Sequence, residues 1–229
     1  MLFNEEYYNN NRQDSDRIGL LFYSNLIKNY FKPNTILDYG CGTGYFLKRL
    51  SKIKTIKKTY GFEVSEYAIN KAKNNSKKSI LIKNLAKLDD HSIDIIIALH
   101  VIEHINDNAL KKIIFSFKRI LKNNGVIIFA TPAKNGFAHK IKKEKWIGFS
   151  DKTHINLKTF EEWKSFFNSN NLVLFKSSND GLWDFPYRTK NNKFAMLDIF
   201  FKMIIQIFTG KLYLSYDKGE TFVFFLKFR

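Results

Sequence analysis

Thr35-Ile36-Leu37-Asp38-Tyr39-Gly40-Cys41-Gly42-Thr43-Gly44 runs from a short β-prone segment, through an acidic residue, into three alternating glycines. Tyr45 to Leu50 then reads as a helix. Glycines at 40, 42 and 44 let the backbone turn tightly and leave a bare surface against which a ligand can lie. A dinucleotide fingerprint, G-x-G-x-x-G, would set a pyrophosphate at the helix N-terminus. Here the spacing is G-x-G-x-G with Asp38 just ahead of it. A carboxylate at that point suits a cationic ligand group better than a phosphate.

Downstream, Tyr60 to Val64 reads as the end of a second strand, and Ser65 starts a helix reaching about Asn75. Ser79 to Ile82 is a short third strand. Ile93 to Leu99 is a continuous apolar run, as expected of a buried central parallel strand. Asn106 or Asp107 opens a helix to Leu121 that Asn123-Asn124-Gly125 closes, and Val126 to Ala130 is a fifth strand ended by Thr131-Pro132. Upstream, residues 4–13 read as a polar and aromatic arm. Asp14 or Ser15 can cap a helix that runs to Phe31 and is stopped by Pro33. Further on come a loop over 133–158, a helix from Thr159 to Ser169, a sixth strand from Leu172 to Ser177, an insertion over 179–219 and a last strand from Thr221 to Phe228. Strands and helices alternating at this spacing predict an α/β fold with a doubly wound, mostly parallel sheet.

At 229 residues the chain can bury one sizeable core. Its net charge of +17 comes from 32 Lys and 6 Arg spread along the sequence. Readers of nucleic acid lean on Arg, and the Lys, Asn and Ile excess is what an AT-rich genome gives, so nucleic acid is not the expected partner. An anionic lipid or substrate remains compatible with the charge. Cys41 is the single cysteine, which excludes an internal disulfide and fits a cytoplasmic location. The polar, acidic start Met1-Leu2-Phe3-Asn4-Glu5-Glu6 is unlike a signal peptide. No run of 18 uncharged apolar residues is present to span a membrane.

The glycine stretch resembles motif I of the class I S-adenosylmethionine methyltransferases, whose cofactor carries an amino acid moiety and a sulfonium. Two further segments carry the resemblance. Ile93-Asp94 followed by Val101-Ile102-Glu103-His104 is similar to the strand-four segment of small-molecule methyltransferases, and Leu121-Lys122-Asn123-Asn124-Gly125 is similar to their Leu-Lys-Pro-Gly-Gly. The resemblance covers roughly residues 34–178. It implies a seven-stranded Rossmann-like sheet with an antiparallel last strand and an α-helical insertion before it. One methyltransferase domain over 1–229 is expected: arm and helix 1–33, cofactor core 34–178, insertion or lid 179–219, last strand 220–229. It implies S-adenosyl-L-methionine as cofactor, held by Asp38, Gly40, Cys41, Gly42, Gly44, Glu63, Asn84, Leu85, Leu99 and His100. Glu63, 19 residues beyond Gly44, would accept hydrogen bonds from ribose hydroxyls. Asn84 stands where the family often has an acidic partner for the adenine amino group.

The activity implied is methyl transfer to a hydroxyl of a small molecule, sugar or glycan, or lipid-linked intermediate. His104, His154 and Glu103 are the catalytic candidates, because a near-neutral imidazole suits removal of a hydroxyl proton. The segment Trp146…Asp151-Lys152-Thr153-His154…Phe160 resembles the loop that closes over the acceptor in bacterial relatives. No metal is expected. An alternative keeps a divalent ion on His100, Glu103, His104 and His154, since quinone-pathway and small-RNA 2′-O-methyltransferases carry E-x-x-E-H and a later His here. His100-x-x-Glu103-His104 also matches the inverted zinc-protease motif, but the preceding strand argues against that. An RNA ribose 2′-O-methyltransferase and a non-catalytic cofactor-binding protein are the alternative functions. No N/D-P-P-Y/F follows strand four, which disfavours adenine N-methylation, and no Pro-Cys pair is present for attack on a pyrimidine. In the insertion, Lys193 to Gly210 is apolar except for Asp198, Lys202 and Gln206, four apart on one stripe. This predicts a helix that packs on the core, pairs with a second copy, or docks peripherally on a membrane with help from Arg188, Lys190, Lys193 and Lys211.

Overall fold

In the computed structural model, residues 3–11, 13–187 and 193–229 are described. Strands β1 (Thr35–Tyr39), β2 (Lys58–Phe62), β3 (Ile80–Ile82), β4 (Ile93–Leu99), β5 (Leu121–Pro132), β6 (Leu172–Asn179) and β7 (Thr221–Phe228) form one sheet. Its order is β3-β2-β1-β4-β5-β7-β6, with β7 antiparallel to both neighbours and the other pairs parallel. The order reverses between β1 and β4, and a crevice at the carboxyl ends of strands at such a point is where open α/β sheets take ligands.

A sheet this apolar must be covered on both sides. On one face Ile36, Ile97, Ile128 and Phe225 pack with Phe22 and Leu26 of α2 (Gly19–Leu26) and Phe46 of α3 (Tyr45–Leu50). On the other, Leu37, Ile96, Phe129 and Phe224 meet Ile114 and Phe117 of α5 (Asp107–Ile120) and Phe167 of α8 (Phe160–Ser169). α4 (Glu66–Asn75) covers the β2 side, capped by Ser65 Oγ, which accepts from the Ala68 amide. Each fully buried Phe or Ile contributes about 1.5–3 kcal/mol, so these two layers carry most of the folding energy. Asp94 sets the register beneath them. Its Oδ2 accepts from the amides of Asn34 and Thr35 at 2.9 and 2.8 Å, and Lys122 Nζ donates to its Oδ1 at 2.7 Å.

Several sequence expectations need correction. Residues 5–10 are not a bare arm but a short helix, α1 (Glu5–Asn10), capped by Asn4. The helix expected from Asp14 or Ser15 starts only at Gly19, because Asp14 is drawn away to Tyr67 and Lys71 of α4. It ends in a π turn over Ile27–Phe31, closed by Lys32 in the left-handed region. Asn123-Asn124-Gly125 does not close α5; the helix stops at Ile120 and β5 begins at once. The expected loop over 133–158 contains α6 (Phe137–Lys142) and α7 (Ile147–Ser150), packed around Trp146, which is fully buried and stacked on His139.

α9 (Lys193–Thr209) is the helix expected in the insertion. Its polar stripe is not uniform. Asp198 and Lys202 pair at the surface, whereas Gln206 is fully buried: its Nε2 donates to the Asn179 carbonyl and its Oε1 accepts from the Tyr213 and Leu214 amides. Arg188, Lys190 and the Lys193 side chain, expected near this helix, lie outside what is described. Gln206→Leu strands three buried backbone groups at once, each costing about 1–3 kcal/mol. Urea unfolding is expected to show a loss of roughly 3 kcal/mol or more, against almost none for the exposed Lys202→Ala.

Candidate active site

The three glycines do different work. Gly44 sits at φ 84°, and a Cβ there would come within 2.8 Å of the Ala72 Cα in α4, so this position is glycine for packing. Gly42, at φ 51°, has only the ring edge of Tyr8 within reach, at 3.5 Å. Its bare face lines a cavity of about 280 Å³ at the β1–β4 switch point, together with Gly40, Glu63, Leu99, His100 and His104. Glu63 ties the loop to the end of β2. Its Oε2 accepts from the Gly42 amide at 2.9 Å, and its Oε1 from the Val64 and Ser65 amides, both at 2.8 Å.

Asp38 is 2 % exposed and its Oδ2 has no hydrogen-bond partner. Burial, with the Glu63 charge second, pushes its pKa up to about 8. Asp38 is not itself among the residues lining the cavity, although Tyr39 and Gly40, which follow it, are. Cys41 is buried beside it, its Sγ turned to the Gly42 carbonyl, and does not line the cavity. Asn84 and Leu85 are also away from the cavity. Asn84 is exposed and its Oδ1 accepts from the Ala86 amide, capping a short 3₁₀ turn over Leu85–Lys87.

Past β4 the backbone turns through His100 in the left-handed region, φ 56°. The turn delivers Glu103 into the interior, 0 % exposed, where Thr131 Oγ1 donates to its Oε2 at 3.1 Å. Its Oε1 lies 3.3 Å from His100 Nδ1 without hydrogen-bond geometry and has no other partner. Burial alone would raise the Glu103 pKa, yet the neighbouring His100, His104 and His154 hold it below the ordinary value. The Glu103 carbonyl accepts from the Ile155 and Asn156 amides, which brings the 151–156 loop onto the β4 end.

That loop orients His104. Thr153 Oγ1 donates to Asp151 Oδ1 at 2.6 Å, so toward His104 Nδ1, 2.9 Å away, it can only accept. Nδ1 therefore carries the ring proton, and Nε2 keeps a free lone pair. Burial, the largest influence, lowers the His104 pKa, and the Glu103 charge only partly opposes it. His154 Nδ1 sits 2.8 Å from the Gly148 carbonyl, and its ring centroid is 4.8 Å from that of His104. One ligand atom each from Glu103, His104 and His154 fall within 4.8 Å of one another; His100, the fourth member of the alternative metal set, is not in that group.

Several cavity residues carry no motif. Phe3, Tyr7, Tyr8 and Gln13 roof it from the N-terminal segment, which is held down by Ser65 Oγ donating to the Phe3 carbonyl and Thr43 Oγ1 donating to the Gln13 carbonyl. Asp180, just past β6 and not among the cavity-lining residues, is 3 % exposed, accepts from Tyr23 Oη at 2.8 Å and leaves Oδ1 unpartnered near His100. The aromatic cluster Tyr7-Tyr8 was the one signal available for the roof.

Comparisons with known proteins agree with this geometry. The methyltransferase domain family matches residues 12–177. A malonyl-[acyl-carrier protein] O-methyltransferase of Hamiltonella defensa is 31 % identical over 136 residues, 57 % of this chain and 50 % of that protein. A ubiquinone biosynthesis O-methyltransferase of Neisseria meningitidis is 26 % identical over 109 residues, 44 % of each. The chain thus spans about half the length of these curated relatives. The plantazolicin methyltransferase solved in complex with SAH superposes with a TM-score of 0.60 at 19 % identity, covering 98 % of this chain and 88 % of that one. The bare Gly42 face, the Glu63 carboxylate and the orphaned Asp38 oxygen fit S-adenosylmethionine. With its glycine loop, its sheet order and a family match across most of its length, the chain belongs to the class I S-adenosylmethionine-dependent methyltransferases.

Proposed function

We propose that this enzyme methylates a hydroxyl group of a small molecule and that His104 is the base. The observation carrying the reading is the Asp151–Thr153–His104 chain, which leaves a free imidazole lone pair at the wall of the cofactor cavity. S-adenosylmethionine supplies an electrophilic methyl group. The chain's own part is to hold the acceptor oxygen in line, keep water out with Phe3, Tyr7 and Tyr8, and take the hydroxyl proton at His104 Nε2. Glu103 and the 151–156 loop position that imidazole. The O-methyltransferase names of the two curated relatives support an oxygen acceptor.

The cofactor contacts proposed are Gly40 and Gly42 along the loop, Glu63 toward the ribose, Leu99 and His100 beside the cavity, and Asp38 toward the cationic amino acid portion. A second reading is favoured by the Glu103, His104 and His154 group: two imidazoles and a carboxylate suit a divalent ion, and the His154 Nδ1 contact with the Gly148 carbonyl is the outer-shell bond such ligands make. A chelator that abolishes turnover, with restoration by a divalent ion, would select it.

Incubation with methyl-labelled cofactor and a panel of phenols, sugars and carboxylic acids tests the main reading. A base-stable methyl ether is expected; methanol released by mild alkali would mark an ester and overturn the hydroxyl assignment. With that acceptor, His104→Ala is expected to reduce kcat roughly 10²–10⁴-fold while calorimetry shows unchanged cofactor affinity.

Asp38 gives a separate prediction. Its folded pKa of about 8 lies above the ordinary carboxyl value, so the folded state favours the protonated form. Its contribution to stability is full below about pH 4 and is lost as pH rises toward 8. Asp38→Asn is therefore expected to make the cofactor-free protein more stable at pH 8, by about 2–5 kcal/mol in urea unfolding, with little difference at pH 4. The same variant is expected to bind S-adenosylmethionine more weakly by calorimetry.

A further inference from the structure

α9 is apolar on both of its long faces. The inner one, with Ile199, Met203 and Ile207, is buried against the sheet and α2. The outer one is a row at helical spacing: Phe194, Leu197, Phe201, Ile204 and Phe208 are 88, 64, 64, 37 and 66 % exposed. The helix has seventeen residues, and the row from Phe194 to Phe208 is about 21 Å long. Charge is confined to the flank, where Asp198 and Lys202 neutralise one another.

What lies beside the row decides its partner. Asn25 Nδ2 donates to the Ile207 and Phe208 carbonyls and so fastens the end of α9 to α2. The same Asn25 lines an open groove of about 460 Å³ with Lys28, Lys48, Lys52 and Lys54, in which the one acid, Asp16, is paired with Arg49. From Arg17 to Tyr60 the sequence holds one carboxylate, the buried Asp38, against a long series of lysines. Elsewhere, Lys176 lies over the half-exposed Tyr30 ring, and Lys227 over that of Phe175. A surface that is apolar in depth and anionic at its rim complements both features.

We propose that this face docks on an anionic phospholipid bilayer, with the outer row of α9 lying in the headgroup–acyl boundary and the adjoining lysine groove taking lipid phosphates. The helix lies in the membrane plane; no described helix is long and apolar enough to cross it. The cofactor cavity is lined by none of these residues, so docking and cofactor binding are separable.

Flotation with vesicles of phosphatidylcholine alone, and of phosphatidylcholine with one third phosphatidylglycerol, tests the proposal. Binding is expected to the anionic vesicles, to be weak to the neutral ones, and to fall with added salt. Phe201→Asp with Phe208→Asp is expected to abolish it, at unchanged cofactor affinity and melting temperature. Lys28→Ala with Lys52→Ala keeps the row intact and is expected to weaken partitioning roughly tenfold or more. Equal binding to both vesicle types, or full binding by the double aspartate variant, would overturn the proposal. So would absence of vesicle binding together with a dimer, seen by light scattering, that the aspartate variant dissociates.

Discussion

One carboxylate receiving three backbone amides holds the cofactor half of this enzyme together. Glu63 follows β2, and through Gly42, Val64 and Ser65 it fixes the loops that leave β1 and β2 at the carboxyl edge of the sheet. The glycine loop cannot be held by side chains of its own, because its bare face is what lines the cavity. Charge-assisted hydrogen bonds from outside the loop supply the rigidity instead. Asp38 stands close by with the opposite condition, a buried carboxyl lacking a partner for one oxygen. One acid is satisfied and shapes the site; the other keeps a buried oxygen without a partner.

The side of the cavity after β4 rests on different material. The left-handed turn at His100 puts Glu103 in the interior, and the Glu103 carbonyl then anchors the loop that brings Thr153 to His104. Backbone contacts position the loop, and side-chain contacts position the imidazole. A shift at Glu103 would therefore move His104 and the loop that orients it together.

Legibility followed this division. That Gly40, Gly42 and Glu63 come together at one cavity is legible because the half held by Glu63 is built from consecutive strand–loop–helix units, in which spacing along the chain maps onto position along the sheet edge; Asp38 ends up beside that cavity without lining it. The short helices within 133–158 read as loop because each is brief and lacks a strong apolar period. The roof was missed for a different reason. Thr43 reaches Gln13, and Tyr23 reaches Asp180 across 157 positions, so no local pattern records these pairings. Asn84 shows the converse: a residue in register with a family position turns its side chain to cap its own 3₁₀ turn. Side-chain direction there is set by a local hydrogen bond that the alignment of motifs does not encode.

The insertion shows how a helix can satisfy folding and leave chemistry over. Its inner face and the buried Gln206 account for how α9 is held, through apolar burial on one side and three backbone hydrogen bonds on the other. Its outer row adds little to that, since a side chain such as Phe194 at 88 % exposure removes little apolar surface from water. Single exposed hydrophobic residues are ordinary on protein surfaces, but a contiguous row bordered by a lysine groove is not. Folding energetics leaves the apolar character of that row unexplained, whereas the inner face is explained residue by residue. The constraint on the outer row is therefore external to the fold, and the groove sharing Asn25 with it gives that constraint its sign of charge.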